Sequence, residues 1–138
     1  MAEVRYTGGC LCGGVRYEVT APPLSAGYCH CTRCQRRTGT AASAQARLAP
    51  GSFRIVSGAA LVREYRPPDG FLKCFCSSCG GALWSKDPES GEVMSVRLGT
   101  FDPGNGIRPQ FRTFVTYAAE WEPIQDDGLE RFPEGKPR

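Results

Sequence analysis

The chain of 138 residues has no apolar run of 18 residues, and its mean hydropathy is −0.33. A membrane-spanning helix needs about 20 consecutive, mainly apolar residues, so the sequence excludes one. The formal net charge is only +3, and the basic residues are scattered. A nucleic-acid-binding module needs basic and aromatic residues that alternate on one exposed face, so the sequence disfavours that class of protein.

The chain also has little that favours long helices or export. Its 17 glycines and 11 prolines leave room for short helices only. The first six residues lack a basic stretch followed by an apolar one, which is the pattern of a secretory signal, so we expect a cytoplasmic protein with reduced thiols. The length fits one domain over residues 1–125, and the charged, proline-containing residues 126–138 predict a loose tail.

Against these absences stand eight cysteines in three tight groups. A CxxC turn lets two sulfurs converge on one metal ion at about 2.3 Å. The repeated spacing favours bound metal over a redox dithiol, and the lack of an export pattern favours it over disulfide bridges. The groups are Cys10-Leu11-Cys12, Cys29-His30-Cys31-Thr32-Arg33-Cys34 and Cys74-Phe75-Cys76-Ser77-Ser78-Cys79.

Between the cysteines, apolar and polar residues alternate with a period of two, which predicts β-strands. The predicted strands are 15–19, 53–56, 61–65, 93–97 and 111–115. Glycine- and proline-rich turns separate them, as in an antiparallel, all-β fold. One short helix is predicted over 32–38, with Thr32 as its N-cap.

This layout places the cysteines at turns, where Cys10, Cys12, Cys76 and Cys79 are able to meet across a sheet edge. A metal ion with four thiolates has no free position, so such a site holds strands together. Zinc is predicted, and iron is the alternative.

The remaining group offers Cys29, Cys31 and Cys34, which leave a fourth metal position open. A substrate thiol bound there would lose its proton and become a nucleophile. The alternative is a second closed site completed by Cys74, which lies two residues before Cys76. The only histidine, His30, points away from Cys29 and Cys31 on an extended segment, so we expect packing or a hydrogen bond there rather than metal ligation.

In their order along the chain, these motifs resemble the landmarks of the glutathione-dependent formaldehyde-activating enzymes and their relative centromere protein V. The resemblance implies a mainly β, antiparallel β-tent with zinc knuckles and at most short helices. It also implies a structural zinc on Cys10, Cys12, Cys76 and Cys79, and a catalytic zinc on Cys29, Cys31 and Cys34. We expect the second zinc to be labile, because an open three-sulfur site holds metal less tightly than a closed four-sulfur site. The matching segments are residues 9–13, 29–39, 75–80 and 98–102, and Trp121.

The family's reaction joins glutathione to formaldehyde as S-(hydroxymethyl)glutathione, and it is classed as a carbon–sulfur lyase for the reverse direction. We therefore expect a small-molecule thiol, glutathione, as partner, with neither nucleic acid nor membrane. Forked donors suit its two carboxylates. The predicted glutathione-binding residues are Arg33, Gln35, Arg36, Arg37 and Thr38.

Other interpretations of these residues remain open. Arginines on a short helix also form an ordinary solvated face. The chain would then be a non-catalytic zinc-binding module or a glutathione carrier. A methionine-sulfoxide reductase would need a reactive thiol outside the metal sites, for which Cys74 is available.

Overall fold

A computed structural model describes residues 6–136 of the chain, which form two β-sheets and one short α-helix. Short 3-10 turns occupy Ala59–Leu61, Leu98–Thr100 and Val115–Tyr117. No helix in this part of the chain is long and apolar enough to cross a bilayer. The regular elements are β1 Tyr6–Gly9, β2 Arg16–Val19, β3 Ser25–Cys29, α1 Thr32–Thr38, β4 Ser43–Arg47, β5 Phe53–Ser57, β6 Val62–Tyr65, β7 Leu72–Cys76, β8 Ala82–Lys86, β9 Val93–Arg97, β10 Phe111–Thr113 and β11 Glu130–Arg131.

One sheet has three strands in the order β1-β2-β5, and the other has eight in the order β11-β10-β3-β4-β9-β8-β7-β6. The predicted mainly β, antiparallel fold is confirmed, and the sheets do not close into a barrel. One edge of the large sheet departs from the expectation, because β10 pairs in parallel with both β3 and β11. Parallel pairing needs a long crossover rather than a hairpin, and the chain between β3 and β10 supplies one.

Helix α1 spans the predicted residues, but its N-cap is Cys31, so the assignment of the cap to Thr32 was wrong. The Cys31 sulfur accepts a hydrogen bond from the Cys34 amide at 3.3 Å. Cys31 keeps extended backbone angles, as an N-cap does, while Thr32 has already entered the helix. At the other end Gly39 takes a left-handed conformation and closes the helix.

The hydrophobic core lies between the two sheets. Trp84 of β8, only 2% exposed, packs edge-on against Tyr17 of β2 and Phe53 of β5, with ring centroids 5.9 and 4.7 Å away. Since side chains alternate along a strand, the residues next to these core positions point to the opposite face of the large sheet. That face carries Lys73, Ser85 and Arg97, and Cys34 of helix α1 lies beside it.

Asp102 holds a turn to the small sheet. Its carboxylate accepts hydrogen bonds from Thr7 of β1 and Arg16 of β2. These bonds lower the pKa of Asp102, with Arg16 the larger cause. Trp121 lies in a turn and is 69% exposed.

The segment predicted as a loose tail makes specific contacts as far as residue 136. Strand β11 pairs with β10, and Asp127 accepts hydrogen bonds from Arg112 at 2.8 and 3.1 Å. The Lys136 ammonium lies 4.8 Å from the centre of the Phe111 ring. Residues 137–138 of the predicted tail lie outside the described residues, and the domain boundary at residue 125 stays a prediction.

The backbone at Gly58, in the turn before β6, lies very close to the backbone at Gly14, and substitution of Gly58 tests this contact. Its φ is 82°, and a Cβ atom there would lie 1.9 Å from the carbonyl oxygen of Gly14. Gly51 is a matched control, because its φ is 75° and no atom lies within 4 Å of such a Cβ. We expect Gly51→Ala to cost about 1–2 kcal/mol of unfolding free energy, and Gly58→Ala to cost at least about 2 kcal/mol more. Denaturant unfolding of both variants measures the difference, and equal losses would contradict this backbone contact.

Candidate metal centres and ligand cavity

The first cysteine cluster joins two turns. Cys10 and Cys12 lie in the turn between β1 and β2, and Cys76 and Cys79 lie at the turn between β7 and β8. Their four sulfurs lie within 4.8 Å of one another, with 3.5 Å between Cys10 and Cys12 and 3.9 Å between Cys12 and Cys76. A tetrahedral ion with metal–sulfur bonds of 2.3 Å sets its sulfurs about 3.8 Å apart. The donor set therefore fits one metal ion.

Backbone geometry prepares these turns for thiolates. Gly80 has a φ of 76° and donates its N–H to the Cys76 carbonyl at 2.8 Å, which closes the second turn. Hydrogen bonds from the backbone N–H groups of Cys12 and Gly81 lower the pKa of Cys79 to about 6. A metal ligand must be deprotonated, so these bonds favour metal binding.

The second cluster lies where β3 runs into α1. Cys29 ends the strand, Cys31 caps the helix and Cys34 lies in its first turn, with all three sulfurs within 4.8 Å of one another. A hydrogen bond from Cys29 is the main cause that lowers the pKa of Cys34 to about 5, and it raises the pKa of Cys29. Ser43 and the charge of Lys73 lower the Cys34 pKa further. The surroundings of Cys34 therefore favour the thiolate form more than those of Cys29 do.

Cys74 belongs to neither cluster among the described residues, which include all eight cysteines. Its side chain is 0% exposed in the core, and its strand position faces Trp84. Burial raises its pKa to about 11. The second cluster therefore offers three protein sulfurs, and Cys74 behaves as a core residue.

Cys34 opens onto a cavity of about 590 Å³ on the polar face of the large sheet. Strands β3, β4, β7, β8, β9 and β10 all contribute to its lining. None of the described residues that line it is acidic, so the cavity carries a positive potential beside the Cys34 sulfur. The lining cations are Arg47, Lys73, Arg97 and Lys136.

A chain of hydrogen bonds connects polar side chains on the floor of this cavity. Arg97 donates to Gln45 Oε1 at 2.7 Å and to Ser85 Oγ at 3.2 Å. The same Gln45 oxygen accepts from Ser43 Oγ at 2.8 Å, and Lys73 Nζ lies 3.5 Å from Ser85 Oγ. Strand pairing thus brings these polar groups to one place from four strands.

Several predicted glutathione-binding residues have partners within the protein. Arg33 pairs with Asp69 at 2.8 Å. Gln35 donates to the carbonyls of His30 and Tyr117, and Thr38 donates to the Cys34 carbonyl at 2.8 Å.

The two other predicted residues, Arg36 and Arg37, differ in burial. Arg36 is exposed, while Arg37 is half-buried and one of its terminal nitrogens has no hydrogen-bond partner. Burial lowers the pKa of Arg37. None of the five predicted residues is among those that line the cavity at Cys34.

His30 is buried beneath the second cluster and does not join it. Its Nε2 lies 3.1 Å from an Arg112 nitrogen, which is always a donor, so Nε2 is the acceptor. Burial and the Arg112 charge lower the His30 pKa. This position agrees with the expected hydrogen-bonding and packing role.

Comparison with known proteins assigns the chain to a family. The sequence profile of the glutathione-dependent formaldehyde-activating enzymes matches residues 5–117. The chain belongs to this family. A protein of Halomonas elongata, provisionally named as a glutathione-dependent formaldehyde-activating enzyme, is 32% identical over 137 residues, which cover 94% of this chain and 87% of that protein. A crystal structure of a Rhodobacter sphaeroides protein is 27% identical, covers 91% of this chain and 98% of that one, and superposes with a TM-score of 0.54.

Sequence reasoning missed the polar cavity of this family member. Its residues are single polar side chains on separate strands, among them Gln45, Lys73, Ser85 and Arg97. The alternation of apolar and polar residues could have revealed them, because Lys73 lies between two apolar residues of β7 and Arg97 follows Val96 in β9. Such a residue lies on the face opposite the core.

Metal content distinguishes ligand cysteines from the core cysteine. We expect Cys79→Ser to lose about one metal ion per chain and to lower the melting temperature by roughly 10 °C or more, because the closed cluster joins two turns. Cys74→Ala is the control and should keep the wild-type metal content, at the cost of a small cavity in the core. Elemental analysis with thermal denaturation measures both. Metal loss in the Cys74 variant would contradict the assignment of Cys74 to the core.

Proposed function

We propose that this protein is a zinc-dependent enzyme of the carbon–sulfur lyase type, which forms and cleaves the adduct of a small-molecule thiol, glutathione, with an aldehyde, formaldehyde. One observation carries the proposal: the three-sulfur cluster of Cys29, Cys31 and Cys34 lies at a cavity whose charged lining residues are all cationic. Glutathione offers one thiol for the cluster and two carboxylates for the cations. Membership of the family supports the choice of both substrates.

Both donor sets fit zinc, for which thiolates are common ligands. We assign Cys10, Cys12, Cys76 and Cys79 to a structural zinc and Cys29, Cys31 and Cys34 to a catalytic one. When bound at the second cluster, zinc would supply a soft positive charge that favours the thiolate form of a substrate thiol at neutral pH. These sites need reduced cysteines, so the proposal includes a reducing compartment, the cytoplasm.

The chain's own residues position and polarise the reactants. Cations of the cavity bind the carboxylates of glutathione and orient its sulfur toward Cys34. When that sulfur attacks the carbonyl carbon, a C–S bond forms and the carbonyl π electrons move to oxygen. The cations that line the cavity stabilise this developing alkoxide. The alkoxide then takes a proton from solvent, which replaces the one that the thiol released on binding, so the adduct forms without any change of oxidation state.

Helix α1 supplies a further cation to the same reactants. Arg37 has an unpartnered buried nitrogen and interacts electrostatically with Cys34. We propose that it binds a glutathione carboxylate, while binding of glutathione by the exposed Arg36 stays a prediction. The contacts of Arg33, Gln35 and Thr38 within the protein fix the helix that carries these residues, and direct binding of glutathione by these three stays a prediction.

The proposal predicts faster exchange between formaldehyde and S-(hydroxymethyl)glutathione in the presence of the protein. Magnetisation-exchange NMR with labelled formaldehyde measures this rate above the uncatalysed one. Cys34→Ser should return the rate to background and weaken glutathione binding, since it removes the sulfur at the cavity. The Cys34→Ser variant should keep its fold and the metal of the first cluster, and Cys74→Ala should keep wild-type exchange.

Other outcomes would replace the proposal. If the protein loaded with two zinc ions binds glutathione without accelerating exchange, it is a carrier. The cationic cavity would also explain glutathione binding by a carrier. If glutathione neither raises the melting temperature nor perturbs a cobalt-substituted second site, the carbon–sulfur lyase proposal is wrong.

A further inference from the structure

Arg97 is a buried cation that has no counter-ion among residues 6–136. Its side chain is 8% exposed, and its Nε has no hydrogen-bond partner. The two groups that it does reach, the Gln45 amide oxygen and the Ser85 hydroxyl, are neutral. Within residues 6–136 no carboxylate lies at ion-pair distance from Arg97. Buried charges are ordinarily paired, so this position is prepared for an anion from outside the chain.

A second cation shares the same hydroxyl. Lys73 of β7 and Arg97 of β9 approach Ser85 Oγ from opposite sides of β8, at 3.5 and 3.2 Å. Lys73 is half-buried and also lacks a carboxylate partner among the described residues. Two like charges held this close in a partly dry cavity repel each other, and a bound carboxylate would remove that repulsion.

The position of this cation pair suits a ligand that also reaches Cys34. Both cations and Cys34 line the same cavity. The charge of Lys73 lowers the pKa of the Cys34 thiol. Arg97 donates to Gln45, whose same oxygen accepts a hydrogen bond from Ser43, a neighbour of Cys34. A ligand that spans the cavity therefore meets a thiol-binding end and an anion-binding end.

We propose that Arg97 and Lys73 form a carboxylate-binding subsite on the sheet, and that this subsite selects thiols that carry a carboxylate over neutral thiols. The inference deepens the proposed function and rests on it. It assigns specificity to two strand residues in addition to the arginines of α1. The guanidinium fork gives the directional contact, and the ammonium supplies the second charge.

The test compares two small thiols of similar size on the zinc-loaded protein: 3-mercaptopropionate, which is anionic, and 2-mercaptoethanol, which is neutral. Calorimetry measures the affinity of each variant for both thiols and for glutathione. Lys73→Gln should weaken binding of 3-mercaptopropionate and glutathione by about tenfold and leave 2-mercaptoethanol within about twofold of wild type. Arg97→Gln should show the same selective loss, at least as large. Arg108→Gln removes an exposed charge outside the cavity and should leave all three affinities unchanged.

The outcomes separate this subsite from the proposed function. If the variants bind both small thiols with equally reduced affinity, or if their affinity for 3-mercaptopropionate does not fall, the subsite is wrong. Charge-dependent binding without exchange of formaldehyde would leave the subsite standing and reject the enzyme. If the wild-type protein binds neither glutathione nor 3-mercaptopropionate, both are wrong. Should Arg97→Gln fail to fold, as judged by circular dichroism and metal content, Lys73→Gln decides alone.

Discussion

The convergence of four sulfurs from two distant turns is the constraint on which the structure depends. Cys10 and Cys12 lie in a turn between two strands of the small sheet, while Cys76 and Cys79 lie at a turn between two strands of the large one. Bringing four thiols this close is unfavourable once they ionise, unless a cation compensates the charge. A metal ion bound in this cluster would tie the two sheets together beside a core of aromatic, aliphatic and cysteine side chains.

The large sheet separates two environments by simple alternation. One face carries Trp84, Val96 and Cys74 into the core, and the other carries Lys73, Ser85 and Arg97 into the cavity. Burial of cations beside a core would be costly in isolation, yet here neutral oxygens hold them in place without neutralising them. The same sheet that secures the fold therefore holds positive charge near the second cluster, where a thiolate is favoured.

Strands with strong alternation and β-branched residues, such as those at 15–19 and 93–97, were predictable, with ends that agree closely with β2 and β9. Strands β3 and β4 were missed because Ser25–Cys29 and Ser43–Arg47 consist largely of serine, alanine and glycine, which have little β-propensity. Neighbouring strands on both sides fix them in the middle of the sheet. Strand β10 ends at Thr113, short of the predicted residue 115, because Phe114 turns to a φ of 55°.

The amino-acid sequence by itself determined the three tight cysteine groups and the bounds of the helix that follows Cys31. Turn spacing and helix propensity are local, so neighbouring residues suffice to specify them. Only the tertiary structure decided that Cys74 belongs to the core and that Arg97 and Lys73 share one hydroxyl in the cavity beside Cys34. Those positions depend on the register of strands far apart in the chain, and a shift of one residue would send each side chain to the other face.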